Sequence, residues 1–179
     1  MVFAASTLRV KNMSESYSAI GLVNPKSPTN VGGVLRAAGC YGAQAVYFSG
    51  NRYAKAAKYH TDTKNIADNI PIEQVDDFKV LKTSNRALVC VELVEGAIPL
   101  PEFKHPEDAL YVFGPEDGSL PQSIVDVADA VVYVPTTGCM NLAATVNVLL
   151  YDRMAKRTAS FDSQQVLTSR DTNNRLTVG

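Results

Sequence analysis

Short apolar runs alternate along this chain with stretches whose apolar residues fall at helical spacing. Residues 18–23 (SAIGLV), 43–49 (AQAVYFS), 87–93 (ALVCVEL), 109–114 (ALYVFG) and 130–134 (AVVYV) are almost wholly apolar, the pattern of strands covered on both faces. Between them, Thr29 and Asn30 are placed to cap a helix running through Tyr41, with Val31, Val34, Leu35 and Ala38 as its apolar stripe. A short helix is predicted over 75–82, a helical turn over 124–128, and one long helix over 141–157 that puts Leu142, Val146, Leu149, Leu150 and Met154 on one side. Residues 95–108 and 114–123 are dense in proline, glycine and acids and read as loops. The alternation predicts a single α/β domain with a mainly parallel sheet flanked by helices, over 18–157. Residues 1–17 form a lead-in, and 158–179 a polar tail of weak periodicity expected to be flexible.

Composition narrows this picture. With 179 residues, 46% hydrophobic and 20% charged, the chain suits one core. No apolar run reaches the roughly 18 residues of a membrane span, and 1–17 lacks the apolar centre of a secretion signal, so a soluble cytoplasmic protein without a membrane partner is expected. Cys40, Cys90 and Cys139 lie far apart and only two histidines occur, which suggests neither a disulfide framework nor a metal site and predicts buried thiols. A net charge of −1 excludes a generally cationic nucleic-acid coat, so any RNA contact must be local. The best candidate is 51–64, where Arg52, Lys55, Lys58, His60 and Lys64 are interleaved with Tyr53 and Tyr59 against a single acid, Asp62.

Three blocks join a strand end to a loop or helix start, the place where open α/β sheets hold ligands. In 24–42, Gly32 and Gly33 allow another backbone to come close, and Arg36 falls off the apolar stripe, so it is not a core residue. In 112–123, Gly114 and Gly118 bracket Pro115 and Glu116, which places a carboxylate in a rigid turn directly after a buried strand. In 132–152, the strand ends at Pro135 and Asn141 opens the long helix, leaving backbone amides at its start available to a ligand.

In this order and spacing, NVGGVLRAAGCYG, VFGPEDGSL and VPTTGCMNLAATVNVLLYD closely resemble the signature blocks of the SpoU/TrmH RNA 2′-O-ribose methyltransferases, a branch of the SPOUT superfamily. The likeness runs from about residue 18 to 156. It implies a deep trefoil knot with the C-terminal helix threaded through a loop, against the usual rule of unknotted chains. It also implies S-adenosylmethionine held bent by main-chain groups of three segments, marked here by Glu92, Gly114, and Val134 to Met140. Asn30, Arg36, Glu116 and Asn141 become the candidate active-site residues. Glu116 is expected to fasten the loops and Arg36, and Asn141 to fix the cofactor loop. The chain departs from many members at Cys139, where they carry serine, and at Leu142 and Ala143.

The resemblance implies a homodimer, with Arg36 near the partner subunit, and an RNA substrate, preferably tRNA because members without an added domain often act there. Ribosomal RNA is the alternative, and a knotted RNA-binding protein without catalysis is a different class of answer. A Rossmann-like nucleotide enzyme is disfavoured, because neither GxGxxG nor GxxxxGK[ST] occurs.

Overall fold

All five residues of β1 (Ser18–Leu22) are buried, as befits a strand with helices over one face and other chain over the other. The computed structural model describes residues 16–57, 70–158, 162 and 164–178. Around β1 it assembles β2 (Ala45–Phe48), β3 (Ile72–Gln74), β4 (Arg86–Val91), β5 (Ile98–Pro99), β6 (Asp108–Phe113) and β7 (Ala130–Tyr133). The sheet order is β3-β2-β1-β6-β4-β7-β5, and every pairing is parallel. The expected parallel α/β sheet is therefore present. β3 and β5 are additions, too short to show a period in the sequence.

Residues alternate between two cores. Ile20, Leu22, Val46, Val89, Tyr111 and Val132 face α1 (Pro28–Tyr41) and α4 (Leu142–Arg157), whose Val31, Val34, Leu35, Val146, Leu149 and Leu150 complete that layer. Each such fully buried aliphatic side chain contributes about 1.5–3 kcal/mol. Ala19, Leu88, Cys90, Leu110 and Val112 face the other way, against Phe78, Leu120 and Ile124. That second layer is covered by a 3-10 turn at Phe78–Leu81, where a helix over 75–82 is predicted, and by α3 (Gln122–Val125). Gly21 makes room for it, since a Cβ there would lie 2.9 Å from the Phe78 ring.

Helix ends follow local chemistry. α1 is capped by Ser27, whose Oγ accepts from the Asn30 N–H at 3.3 Å, and Pro28 occupies the first turn, where no N–H is needed. The cap thus lies before Thr29 and Asn30, and Asn30 is free to serve elsewhere. Gly42, at φ 70°, ends α1 in the left-handed conformation. Asn141 caps α4 as predicted, accepting from Ala143 and Ala144 N–H at 2.9 and 3.3 Å. The two helices touch at Gly33, where an added Cβ would lie 2.8 Å from the Ala143 Cβ, whereas a Cβ at Gly32 would meet nothing within 4 Å. Only Gly33 has the close-approach role expected of both.

Other expectations are corrected. Of the three cysteines only Cys90 is buried; Cys40 and Cys139 are exposed. Met154 is half-buried, and the neighbouring Arg153 goes inside instead. The loop 95–108 carries β5 and a 3-10 turn at Leu100–Glu102, and the tail carries α5 (Gln164–Ser169), none of whose residues is buried.

Arg153 is tolerated inside because carbonyls surround it. It donates to Pro106 O and Glu107 O, both at 2.6 Å, and to the Tyr111 hydroxyl at 3.0 Å. Tyr111 in turn meets His105 Nδ1 at 2.7 Å, while His105 Nε2 meets Asp152 at 2.9 Å. With Nε2 donating to the carboxylate and Nδ1 accepting from the phenol, this chain of bonds holds a neutral imidazole in one tautomer. Burial lowers the pKa of His105 below its ordinary 6.5, outweighing the bond to Asp152, which acts to raise it. The unfolded chain then takes up the proton first. Stability contributed here is complete above about pH 6.5 and drains away as pH falls below it towards the depressed folded value. Urea midpoints taken between pH 5 and 8 should slope downward on the acid side, and His105→Gln should flatten that slope; an unchanged slope would exclude His105 as its source.

Candidate active site

The carboxyl ends of β4, β6 and β7 open into a cleft of about 190 Å³. Its walls include Glu92 and Leu93 after β4, Gly114, Pro115 and Glu116 after β6, Val134, Thr136, Cys139 and Met140 after β7, and Leu142 and Thr145 from α4. All four residues predicted for the cofactor, Glu92, Gly114, Val134 and Met140, therefore line one cavity. It is smaller than the ~300 Å³ at which sites begin to enclose a drug-sized ligand, so a nucleoside-sized molecule must project from it or displace a wall.

The loops are tied together from within. One oxygen of Glu92 accepts from the Leu93 N–H at 3.0 Å, and the other from the Leu120 N–H at 2.9 Å, joining the segments after β4 and β6. Gly114 lies under this bond: a Cβ there would stand 3.1 Å from Glu92 Oε2 and 3.2 Å from Leu120 N. Thr136 Oγ1 donates to Gly138 O at 2.6 Å and tightens the third loop.

Beside the cleft, three of the four predicted catalytic residues form one network. Glu116 accepts from the Lys26 N–H at 2.8 Å, the Ser27 N–H at 3.0 Å and Asn30 Nδ2 at 3.0 Å. Asn30 Oδ1 then accepts from Asn141 Nδ2 at 2.9 Å. The turn after β6, the start of α1 and the start of α4 are thus fastened through side chains at 116, 30 and 141. Partial burial pushes the Glu116 pKa up, but the bonds from Asn30, Lys26 and Ser27, with its own N–H, outweigh it and hold the carboxyl below its ordinary value. An ionised carboxylate with its lone pairs taken is an anchor and a poor proton acceptor.

The fourth residue stands apart. Arg36 is exposed on α1, does not line the cleft, and makes no hydrogen bond or ion pair with the described residues. Glu116 does not hold it; the carboxylate is turned to the α1 start instead. In the basic segment, Lys58, Tyr59, His60, Asp62 and Lys64 lie outside the described residues. Lys55 is exposed on α2 (Arg52–Ala57), and Tyr53 packs edge-on against Phe48. Arg52 is engaged within the protein, on Asp117 and Asn24. That pairing leaves no mark in the sequence, because nothing in the spacing links residues 65 apart.

A parallel sheet whose strand ends supply three loops around a cleft, with a side-chain network beside it, defines an α/β protein with its ligand site at the carboxyl edge. The chain belongs to the SpoU rRNA Methylase family, whose model matches residues 18–151. Its backbone is similar to the SpoU methyltransferase AviRb from Streptomyces viridochromogenes in complex with AdoMet, with 18% identity, a TM-score of 0.67, and coverage of 82% of this chain and 62% of that one. It therefore spans about three-fifths of AviRb. It is also similar to the A. aeolicus TrmH/SpoU tRNA modifying enzyme (19% identity, TM-score 0.66, 86% of this chain and 85% of that one). A third likeness is to a structure described as giving insights into 2-OH methylation of C/U34 on tRNA (20% identity, TM-score 0.68, 86% and 98%). No curated protein is a significant match.

Proposed function

We propose that this protein transfers a methyl group from S-adenosylmethionine to a ribose 2′-hydroxyl of RNA, with tRNA as the preferred substrate. The observation that carries this reading is the charge of the cleft: Glu92 and Glu116 line it, and among the described residues no lysine, arginine or histidine does. Such a wall suits a cation bearing a sulfonium and an ammonium, and repels the phosphates of a dinucleotide. Glu92, Gly114 and the 134–140 loop would hold the cofactor, which when bound supplies an electrophilic methyl carbon.

The protein's own part is alignment and charge. The Glu116–Asn30–Asn141 network fixes the loops against which donor and ribose are set. A guanidinium carries N–H donors and no acceptor, so Arg36 is unsuited to take the hydroxyl proton. In this reading it binds the phosphate beside the target nucleotide and stabilises the developing alkoxide. Its position outside its own cleft favours a homodimer in which a second copy meets α1 and α4, where Val148 and Tyr151 are 37% and 56% exposed. The threaded trefoil path belongs to the same reading. tRNA is preferred because the neighbours described by tRNA are covered along 85% and 98% of their length, against 62% for AviRb. The family's description instead names ribosomal RNA, which keeps that substrate as the second reading.

Calorimetry with S-adenosylhomocysteine, followed by mapping of 2′-O-methylation in a strain lacking the gene and restoration with purified protein, tests this. Binding together with one lost and restored tRNA mark is expected. Absence of binding would favour a non-catalytic RNA-binding protein, and a restored mark on ribosomal RNA would correct the substrate.

A further inference from the structure

We infer that Arg52 is a positioning residue of the active site, a clamp that holds Glu116 in place through the segments on which Glu116 and its partners sit, and not a contact for RNA phosphate. The inference rests on the methyl-transfer reading for its activity assay, though not for its structural one.

One guanidinium grips two loops. Nε and Nη2 donate to Asn24 O at 2.9 and 2.5 Å, and Nη1 donates to both oxygens of Asp117 at 2.8 and 2.9 Å. Asn24 ends the run after β1 that leads into Lys26 and Ser27, and Asp117 follows Glu116 in its turn. The pieces that bond to each other through Glu116 are thus tied a second time, through the neighbouring residues Asn24 and Asp117, by Arg52. The Asn24 backbone that Arg52 grips is left-handed, a conformation asparagine tolerates. It is the only described non-glycine residue with positive φ, at 43°, and its side chain fills the space where Gly50, itself at φ 73°, would carry a Cβ, with 2.3 Å between that position and Asn24 Oδ1. The Arg52 N–H also reaches Asn24 Oδ1, at 3.4 Å.

The geometry requires a fork. A lysine ammonium on the same helix could meet Asp117 or the Asn24 carbonyl, but could not span both in one plane. Asp117 is committed in turn: its carboxyl is held below the ordinary range, first by the bond from Arg52 and further by the charges of Arg52 and Lys26, whose Nζ lies 3.7 Å away. With Arg52 paired to Asp117, Lys26 and Lys55 are, among the described residues, nearby exposed cations that could meet a phosphate backbone.

The test compares wild type with Arg52→Lys, the charge-removing Arg52→Gln, Asp117→Asn and the double variant Arg52→Lys/Asp117→Asn, each checked by thermal melting. Methyl transfer is measured on total small RNA from a strain lacking the protein, RNA affinity is measured across salt concentrations, and amide exchange is read at Lys26 and Ser27. Each single variant should lose about tenfold or more in kcat, and the double variant should be no worse than the poorer single. RNA KM and the salt slope should stay at wild-type values. Exchange at the Lys26 and Ser27 amides should rise about tenfold, because their acceptor is no longer held. A salt slope smaller by about 1 in Arg52→Gln, with kcat unchanged, would make Arg52 a phosphate contact and overturn the inference. So would wild-type exchange at both amides in Asp117→Asn. If the wild-type protein transfers no methyl group, the functional reading has failed, and amide exchange still decides the clamp.

Discussion

Arg36→Lys keeps the charge and the fold yet lowers kcat by about 100-fold or more, the effect of removing one preorganised donor from a developing oxyanion. The side chain is exposed and has no partner among the described residues, so its replacement disturbs no packing, and the melting temperature should stay within a degree or two of wild type. S-adenosylhomocysteine affinity should also hold, because residue 36 is not part of the cleft wall. A planar fork can hold a phosphate and face an alkoxide together, and an ammonium cannot. Single-turnover rates at saturating RNA read this directly. Activity within a fewfold of wild type would leave Arg36 no role beyond simple charge.

Glu116→Gln is the second large effect, and it differs in kind. The glutamine Nε2 cannot accept, so one of the bonds from Lys26 N–H, Ser27 N–H or Asn30 Nδ2 is replaced by donor facing donor. Asn30 then loses the partner that orients it, and the bond from Asn141 Nδ2 to Asn30 Oδ1 loosens with it. A shift of about 1 Å in these loops lowers kcat by about 100-fold. Removal of one of the two carboxylates in the cleft wall should also weaken S-adenosylmethionine more than S-adenosylhomocysteine, which lacks the sulfonium charge. Because the site is open to solvent, the stability loss stays near 1 kcal/mol. Equal weakening of both ligands would mean that Glu116 acts through geometry alone, and undiminished kcat would remove it from the site.

Much of this was legible in the chain because it depends on local pattern. The apolar runs at β1, β2, β4, β6 and β7 mark strands whose neighbours are dictated by burial on both faces, and α1 and α4 announce themselves by their stripes. The residues of the cleft wall at 92, 114, 134 and 140 were legible as punctuation after strands. What escaped depends on partners distant in sequence. Ser27 takes the cap because Pro28 fits the first turn behind it, while Asn30 is drawn to Glu116 86 residues away. Arg153 sits where the stripe calls for an apolar residue, and only the carbonyls at 106 and 107 explain how it can. Arg52 reads as surface charge until Asp117 is brought beside it. The short β3 and β5 have too few residues to show a period.

The sheet order has a consequence for how the protein is made. β6 separates β1 from β4, yet both of those are synthesised before it. A growing chain that has emerged only as far as residue 107 carries two strands destined for the centre of the sheet, each with its inner edge open and no partner to close it. Collapse onto one another would give a register that must later be undone to admit Asp108–Phe113. Assembly is therefore governed by late, long-range contacts, which makes maturation slow and leaves prematurely terminated products prone to aggregate.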